Sequence, residues 1–161
     1  MGLYFQPMDE AAAQQVVAWR YPAPYDIYNF DLAVDQIEPQ VRFLLEPANG
    51  YFRIDDDSHE LIAFCCFGAD ARVPGGDYSR PTLDIGLGVR PDLTGKGRAQ
   101  YYVGAVIAFA AERFKPPRLR VTIAAFNERA QHAWERAGFR QVQAFDHSLS
   151  GRRFVILDGE P

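Results

Sequence analysis

The stretch Val89-Arg90-Pro91-Asp92-Leu93-Thr94-Gly95-Lys96-Gly97-Arg98-Ala99 decides how the chain is read. Before it, Thr82 to Val89 is a β-rich run. After it, Tyr102, Val103, Val106, Ile107, Ala110 and Phe114 recur at the i, i+3, i+4 spacing of an amphipathic helix. A glycine turn leading from a strand into a helix presents consecutive backbone amides with no side chains in the way. It does so at the positive end of the helix dipole, and therefore attracts phosphate. Two familiar phosphate devices fail on spacing. A Walker A loop needs a glycine well ahead of a Gly-Lys-Ser/Thr triplet, whereas here that position is Arg90 and Gly95-Lys96 runs on to Gly97. A dinucleotide fingerprint meets Gln100 where Gly95 and Gly97 require a third glycine, and Pro91 where Gly86 and Gly88 require one.

Working outward, the helix ends before Pro116-Pro117 with Arg113 and Lys115 in its last turn, where cations complement the dipole. Leu119, Val121, Ile123 and Ala125 then alternate as a strand. Asn127 is placed to cap a further helix with Glu128 in its first turn, Ala130, Ala133, Trp134 and Ala137 on one face, and Gly138 as its stop. Two β-runs, Phe139 to Phe145 and Arg153 to Leu157, turn around Ser150-Gly151. Upstream, Leu3 to Phe5 is a short β-pattern ending at Pro7, and Asp9 caps a helix with Ala12, Val16 and Trp19 as its apolar positions. A second helix spans Val34 to Leu45 with an interruption expected at Pro39. Tyr51 to Ile54 and Glu60 to Phe67 form a hairpin around Asp55-Asp56-Asp57-Ser58.

The segment Val89 to Ala99 resembles the pyrophosphate-binding motif of the GNAT acyltransferases, a Q/R-x-x-G-x-G/A turn after a V-x-P strand end. Gly97 and Ala99 fall at its small positions, and Thr94 replaces its first Gln or Arg. Downstream, Asn127-Glu128-Arg129-Ala130-Gln131-His132-Ala133-Trp134-Glu135-Arg136-Ala137-Gly138-Phe139 resembles the family's N-x-x-A-x-x-x-Y-E-x-x-G-F segment, with Trp134 at the tyrosine position. The chain before Tyr51 matches only in element order. The resemblance implies one α/β (α+β) domain over residues 1–161, with a mixed sheet of about six to seven strands flanked by about four helices. Between its two central strands the sheet is splayed for the coenzyme's pantetheine arm. It also implies an N-acetyltransferase that uses acetyl-CoA as co-substrate and acetylates a primary amine of a small molecule or peptide by direct attack in a ternary complex. Coenzyme contacts are then expected from Leu87, Gly88 and Val89, from Thr94, Gly95, Lys96, Gly97, Arg98 and Ala99, and from Asn127, Ala130 and Trp134.

Such a transfer needs a neutral amine, a donor for the oxyanion and departure of a thiolate. On the strand Thr82 to Val89, Leu83, Ile85, Leu87 and Val89 face one side, and Asp84, Gly86 and Gly88 the other, whose bare backbone suits close approach by a ligand. Asp84 occupies a position where family members often carry an acidic residue. It reads either as the general base or as the anchor of a buried polar network. The resemblance places the oxyanion donor at the backbone amide of Val89. Trp134 is no general acid, because an indole donates without useful acidity, so it is either a core aromatic or a coenzyme contact. A thiol of pKa about 8.5 is a tolerable leaving group without one. Tyr25 and Tyr28, in the aromatic segment that also holds Trp19, Tyr21 and Phe30, either line the acceptor pocket or pack on the core. Trp134 at the tyrosine position keeps a second class open, a catalytically silent acyl-CoA-binding module.

At 161 residues the chain is long enough for one full core, and 48% apolar with 24% charged residues excludes a largely disordered chain. The net charge of −4, with no basic run beyond the pairs around Arg118/Arg120 and Arg152/Arg153, implies no nucleic-acid face. The longest apolar stretch, Val103 to Ala111, falls far short of the ~20 residues of a membrane span, and no signal segment is visible, so a cytoplasmic protein is expected. Cys65 and Cys66 are adjacent in a strand and point to opposite faces, which reads as core packing rather than a disulfide. His59, His132 and His147 show no metal-ligand spacing, so no metal is expected. A homodimer is common among similar proteins, although no residue here specifies an interface.

Overall fold

A computed structural model of the chain describes residues 2–161. Its strands are β1 (Tyr4–Pro7), β2 (Tyr51–Asp55), β3 (Leu61–Phe67), β4 (Leu83–Val89), β5 (Leu119–Ala124), β6 (Arg140–Asp146) and β7 (Arg153–Gly159). They form a seven-stranded sheet of order β1-β2-β3-β4-β5-β7-β6. The helices are α1 (Glu10–Ala18), α2 (Val34–Leu45), α3 (Ala99–Phe114) and α4 (Glu128–Arg136). β4 and β5 are parallel, whereas β1–β2, β2–β3, β5–β7 and β6–β7 are antiparallel, so the sheet is mixed, as expected. The chain gathers into two compact units. One takes the chain up to Cys66 together with Gly88–Thr94, and the other takes Phe67–Leu87 and Gly95–Pro161.

In the first unit, Met8, Ala12, Ala13, Val16, Val17, Val41, Leu44 and Leu61 make a buried cluster against which Trp19, Phe30, Leu45, Tyr51 and Phe64 pack. The α1 stripe falls where the helical period places it, at Ala12 and Val16, joined by Ala13 and Val17, while Trp19 is the C-cap and packs on the cluster partly buried. α2 runs unbroken through Pro39, contrary to the expected interruption. Its first turns are exposed, so water can take up the carbonyl that the missing proline N–H leaves without a partner. Cys65 and Cys66 are buried and unbridged, and burial, with Cys66 as a lesser cause, pushes the Cys65 thiol up.

Asp9 starts α1 as the sequence implies, its Oδ1 accepting from Ala12 N–H at 2.9 Å and its Oδ2 from Arg53 at 2.8 Å. The Ala12 amide first, and then Arg53, hold its carboxyl below the usual carboxylate range. Asp9→Ala is expected to lower stability at neutral pH by about 1 kcal/mol. A depressed folded-state pKa contributes stability above the unfolded value and loses it as pH falls through the folded one. The difference between wild type and variant in urea unfolding should therefore shrink below about pH 4.

In the second unit, β4 pairs with β5 only over Leu83–Ile85 against Leu119–Val121. Beyond that ladder Gly86 and Leu87 are not paired with Thr122, Ile123 or Ala124, which is the expected parting of the two central strands. β5 is completed on its other edge by β7, paired from Leu119↔Gly159 to Ala124↔Phe154. Tyr102, Val103, Val106 and Ala110 of α3 are buried, as are Ala133 and Trp134 of α4.

Candidate active site

At the end of β4, within the first unit, Val89 donates no side-chain chemistry, and its peptide groups are the feature of interest. Its carbonyl accepts from the Tyr21 hydroxyl at 2.6 Å, while the following amide, Arg90 N–H, donates to the Ile62 carbonyl at 2.9 Å. Arg90 adds a side-chain bond to the Leu61 carbonyl and a pair with Asp92 at 2.7 Å. Gly88 faces a ring. A methyl built on it would run into the Phe64 ring, so its bare face admits the aromatic side chain of β3 that packs there. Tyr25 and Tyr28 bracket a single 3-10 turn. Tyr28 stands edge-on to Tyr21, with ring centroids 6.4 Å apart, and Tyr25 is half-buried.

In the second unit, the turn into α3 has Gly95 at φ +70° and Gly97 at φ +74°, a left-handed conformation that side chains resist. Residues Gly95 to Ala99 are exposed, and Arg98 at the N-cap of α3 makes no side-chain cap. Among the described residues, no hydrogen bond of ordinary geometry takes up the amides of Gly95, Lys96, Gly97 or Arg98. The 16-residue helix behind them adds its dipole, an arrangement suited to an anion. Arg129 of α4 brings a guanidinium to it: its Nη1 lies 2.7 Å from where a Gly95 Cβ would stand. The motif spacing alone did not single Arg129 out, because the turn and the helix approach one another only in the fold. Asn127 caps α4, its Oδ1 accepting from Ala130 N–H at 3.2 Å, which commits that oxygen. Trp134 is buried and packs on Phe139, with ring centroids 4.9 Å apart, as a core aromatic does.

Asp84 is 2% exposed, and both of its oxygens are engaged. Arg120 approaches it as a fork, Nε to Oδ1 at 2.6 Å and Nη2 to Oδ2 at 2.8 Å, and Arg72 Nε adds a bond to Oδ2 at 2.8 Å. Each oxygen therefore already accepts from a guanidinium. A carboxylate held between two guanidiniums fits the polar-anchor reading of Asp84 better than the general-base one. Arg120 was missed in the sequence, although one charge in the middle of Leu119-Arg120-Val121 mirrors the one in Leu83-Asp84-Ile85, and opposite lone charges on two strands argue for pairing. Among the described residues, no three His, Cys, Asp or Glu side chains gather as metal ligands, and no helix is long and apolar enough to cross a membrane.

Residues 3–140 match the family model of the acetyltransferase (GNAT) domain. No curated protein shows significant similarity to the chain. Solved structures do. One is the spermidine/spermine N-acetyltransferase SpeG from Vibrio cholerae in complex with manganese ions, 14% identical over 98% of this chain and 92% of that one, with a TM-score of 0.67. Another is the GNAT-family acetyltransferase from Bacillus anthracis, at 16% identity over 98% and 94%, with a TM-score of 0.68. A protein from Bordetella pertussis described as a GnaT-family acetyltransferase shares 20% over 97% and 94%, with a TM-score of 0.71. At these identities the likeness is one of fold. The family match spans most of the chain, including the glycine turn and the capped helix after it, and the chain belongs to the GNAT acetyltransferase family.

Proposed function

We propose that the protein transfers an acetyl group from acetyl-CoA to a primary amine of a small molecule or peptide, by direct attack in a ternary complex. The observation that carries this reading is the row of amides from Gly95 to Arg98, exposed, without protein acceptors and backed by α3. Those amides, with Arg129 beside them, fit a diphosphate. The coenzyme, when bound, supplies an acyl thioester and a thiol leaving group. The Val89 N–H is the donor that suits the acyl oxygen, because backbone on a strand is preorganised and needs no side chain to swing in. Trp134 offers no proton. With a thiol pKa of about 8.5, the leaving group can depart as thiolate and take its proton from water. Asp84 holds the base of the strand, so the amine arrives neutral or loses its proton to solvent.

The test is thiol release from acetyl-CoA across polyamines, aminoglycosides, amino acids and peptide N-termini, run beside calorimetry with coenzyme A. Spermidine stands first on that panel because a structure of similar fold is a spermidine/spermine N-acetyltransferase. Turnover on one amine class is the expected result. The buried Trp134, where the family segment has tyrosine, favours a second reading, an acyl-CoA-binding module without catalysis. Micromolar coenzyme binding with no turnover on any amine would select it, and the absence of coenzyme binding would reject both.

A further inference from the structure

Tyr21 completes a hydrogen-bonded seat around the last peptide of β4. In a trans peptide the carbonyl and the following N–H point in opposite directions. Arg90 N–H points to Ile62 on β3, so the Val89 carbonyl points away from β3, toward the Tyr21 hydroxyl 2.6 Å away. Along an extended strand the N–H and carbonyl of one residue share an edge. The Val89 N–H therefore lies on the same edge as the Tyr21 phenol, the edge that β3 does not cover.

We propose that Tyr21 is a positioning residue for acyl transfer: by anchoring the Val89 carbonyl it sets the direction of the Val89 N–H, the donor to the acyl oxygen. This rests on the acetyl-transfer reading above. The seat is itself fixed. Asn29 clamps the Tyr21 main chain from both sides, Oδ1 accepting from Tyr21 N–H at 2.7 Å and Nδ2 donating to the Tyr21 carbonyl at 3.3 Å. Tyr28 closes against the ring edge-on, and the Arg90 side chain holds the next residue to Leu61. Burial pushes the Tyr21 phenol above its usual range, so it stays a protonated donor and is too weak an acid to protonate a thiolate. Its contribution is orientation, not proton transfer.

Tyr21→Phe keeps the ring and deletes the bond. kcat at saturating substrates is expected to fall about tenfold, the size of one ordinary hydrogen bond. The KM for acetyl-CoA and the Kd for coenzyme A should stay within about twofold. Asn29→Ala, which loosens the same seat from behind, should reproduce that pattern, and it decides by the same outcomes if Tyr21→Phe does not fold. An unchanged kcat, or a loss shared equally by kcat, KM and Kd, overturns the role of Tyr21 while leaving the acetyl-transfer reading in place. A wild-type protein that turns over no amine overturns both.

Discussion

Replacing Arg120 by methionine is expected to lower the stability of the fold by about 3–5 kcal/mol, the cost of leaving a buried charge without its partner. Arg120 is 3% exposed and Asp84 2%. Their two bonds join residues directly opposite in the β4–β5 ladder, in the middle of its three paired positions. The guanidinium also donates to the Arg80 carbonyl at 3.0 Å and sits 4.9 Å over the Tyr78 ring, whose hydroxyl shares a hydrogen bond with Thr122 at 2.7 Å. Methionine keeps the length of the stem but gives Asp84 only Arg72, whose side chain is 42% exposed. The double variant Asp84→Leu with Arg120→Met should regain much of the loss, because two apolar groups leave no charge to strand. Denaturant unfolding of the three variants measures this. Equal losses in single and double variants would mean that the site is held by packing alone. The same series tests the base role: if Asp84 is an anchor, Asp84→Asn should lose activity in step with folded fraction, with the pH–rate profile of the folded remainder unmoved.

What was readable in the sequence was what local chemistry dictates. Asp9 and Asn127 cap the helices that their side chains announce, since a cap bonds an amide two or three residues on. Gly95 and Gly97 take the left-handed conformation that turn chemistry reserves for glycine. The hairpin β2–β3 and the helix α3 follow from period and punctuation. What stayed illegible shares a different cause, a partner brought from far along the chain. The two readings of Asp84 stayed open in the sequence because Arg120 is 36 positions away and meets it only through parallel register. Gly88 looked open to a ligand because Phe64 belongs to another strand. Tyr21 was one aromatic among several until the fold set its hydroxyl on Val89, 68 positions on. Pro39 misled in the opposite sense, because helix interruption assumes that the orphaned carbonyl is deprived of water, and on the exposed start of α2 it is not.

Gly95→Val is expected to raise the Kd for coenzyme A about thirtyfold, equivalent to about 2 kcal/mol of backbone strain. The residue sits at φ +70°, where a β-branched side chain is strained, and its Cβ would stand 2.7 Å from Arg129 Nη1. The arginine tip is flexible and can withdraw, so the lasting penalty is the backbone one, together with loss of the guanidinium from beside the amides. Because the turn is exposed and makes no ordinary hydrogen bonds through these amides, it can relax in the free protein and shed the strain. The cost then falls on binding, when the turn must return to the conformation that aligns its N–H groups, and hardly at all on the unfolding midpoint. Gly95→Asn should lose much less, since asparagine tolerates this region. Gly104→Ala, in α3 where an added methyl meets nothing within 4 Å, should leave the Kd unaltered and slightly raise stability. Calorimetry on the three variants separates the possibilities. A valine variant that binds coenzyme A as tightly as wild type would mean that the amides of this turn do not hold the diphosphate. A valine variant that loses binding and unfolds together would mean that the turn is a structural element first.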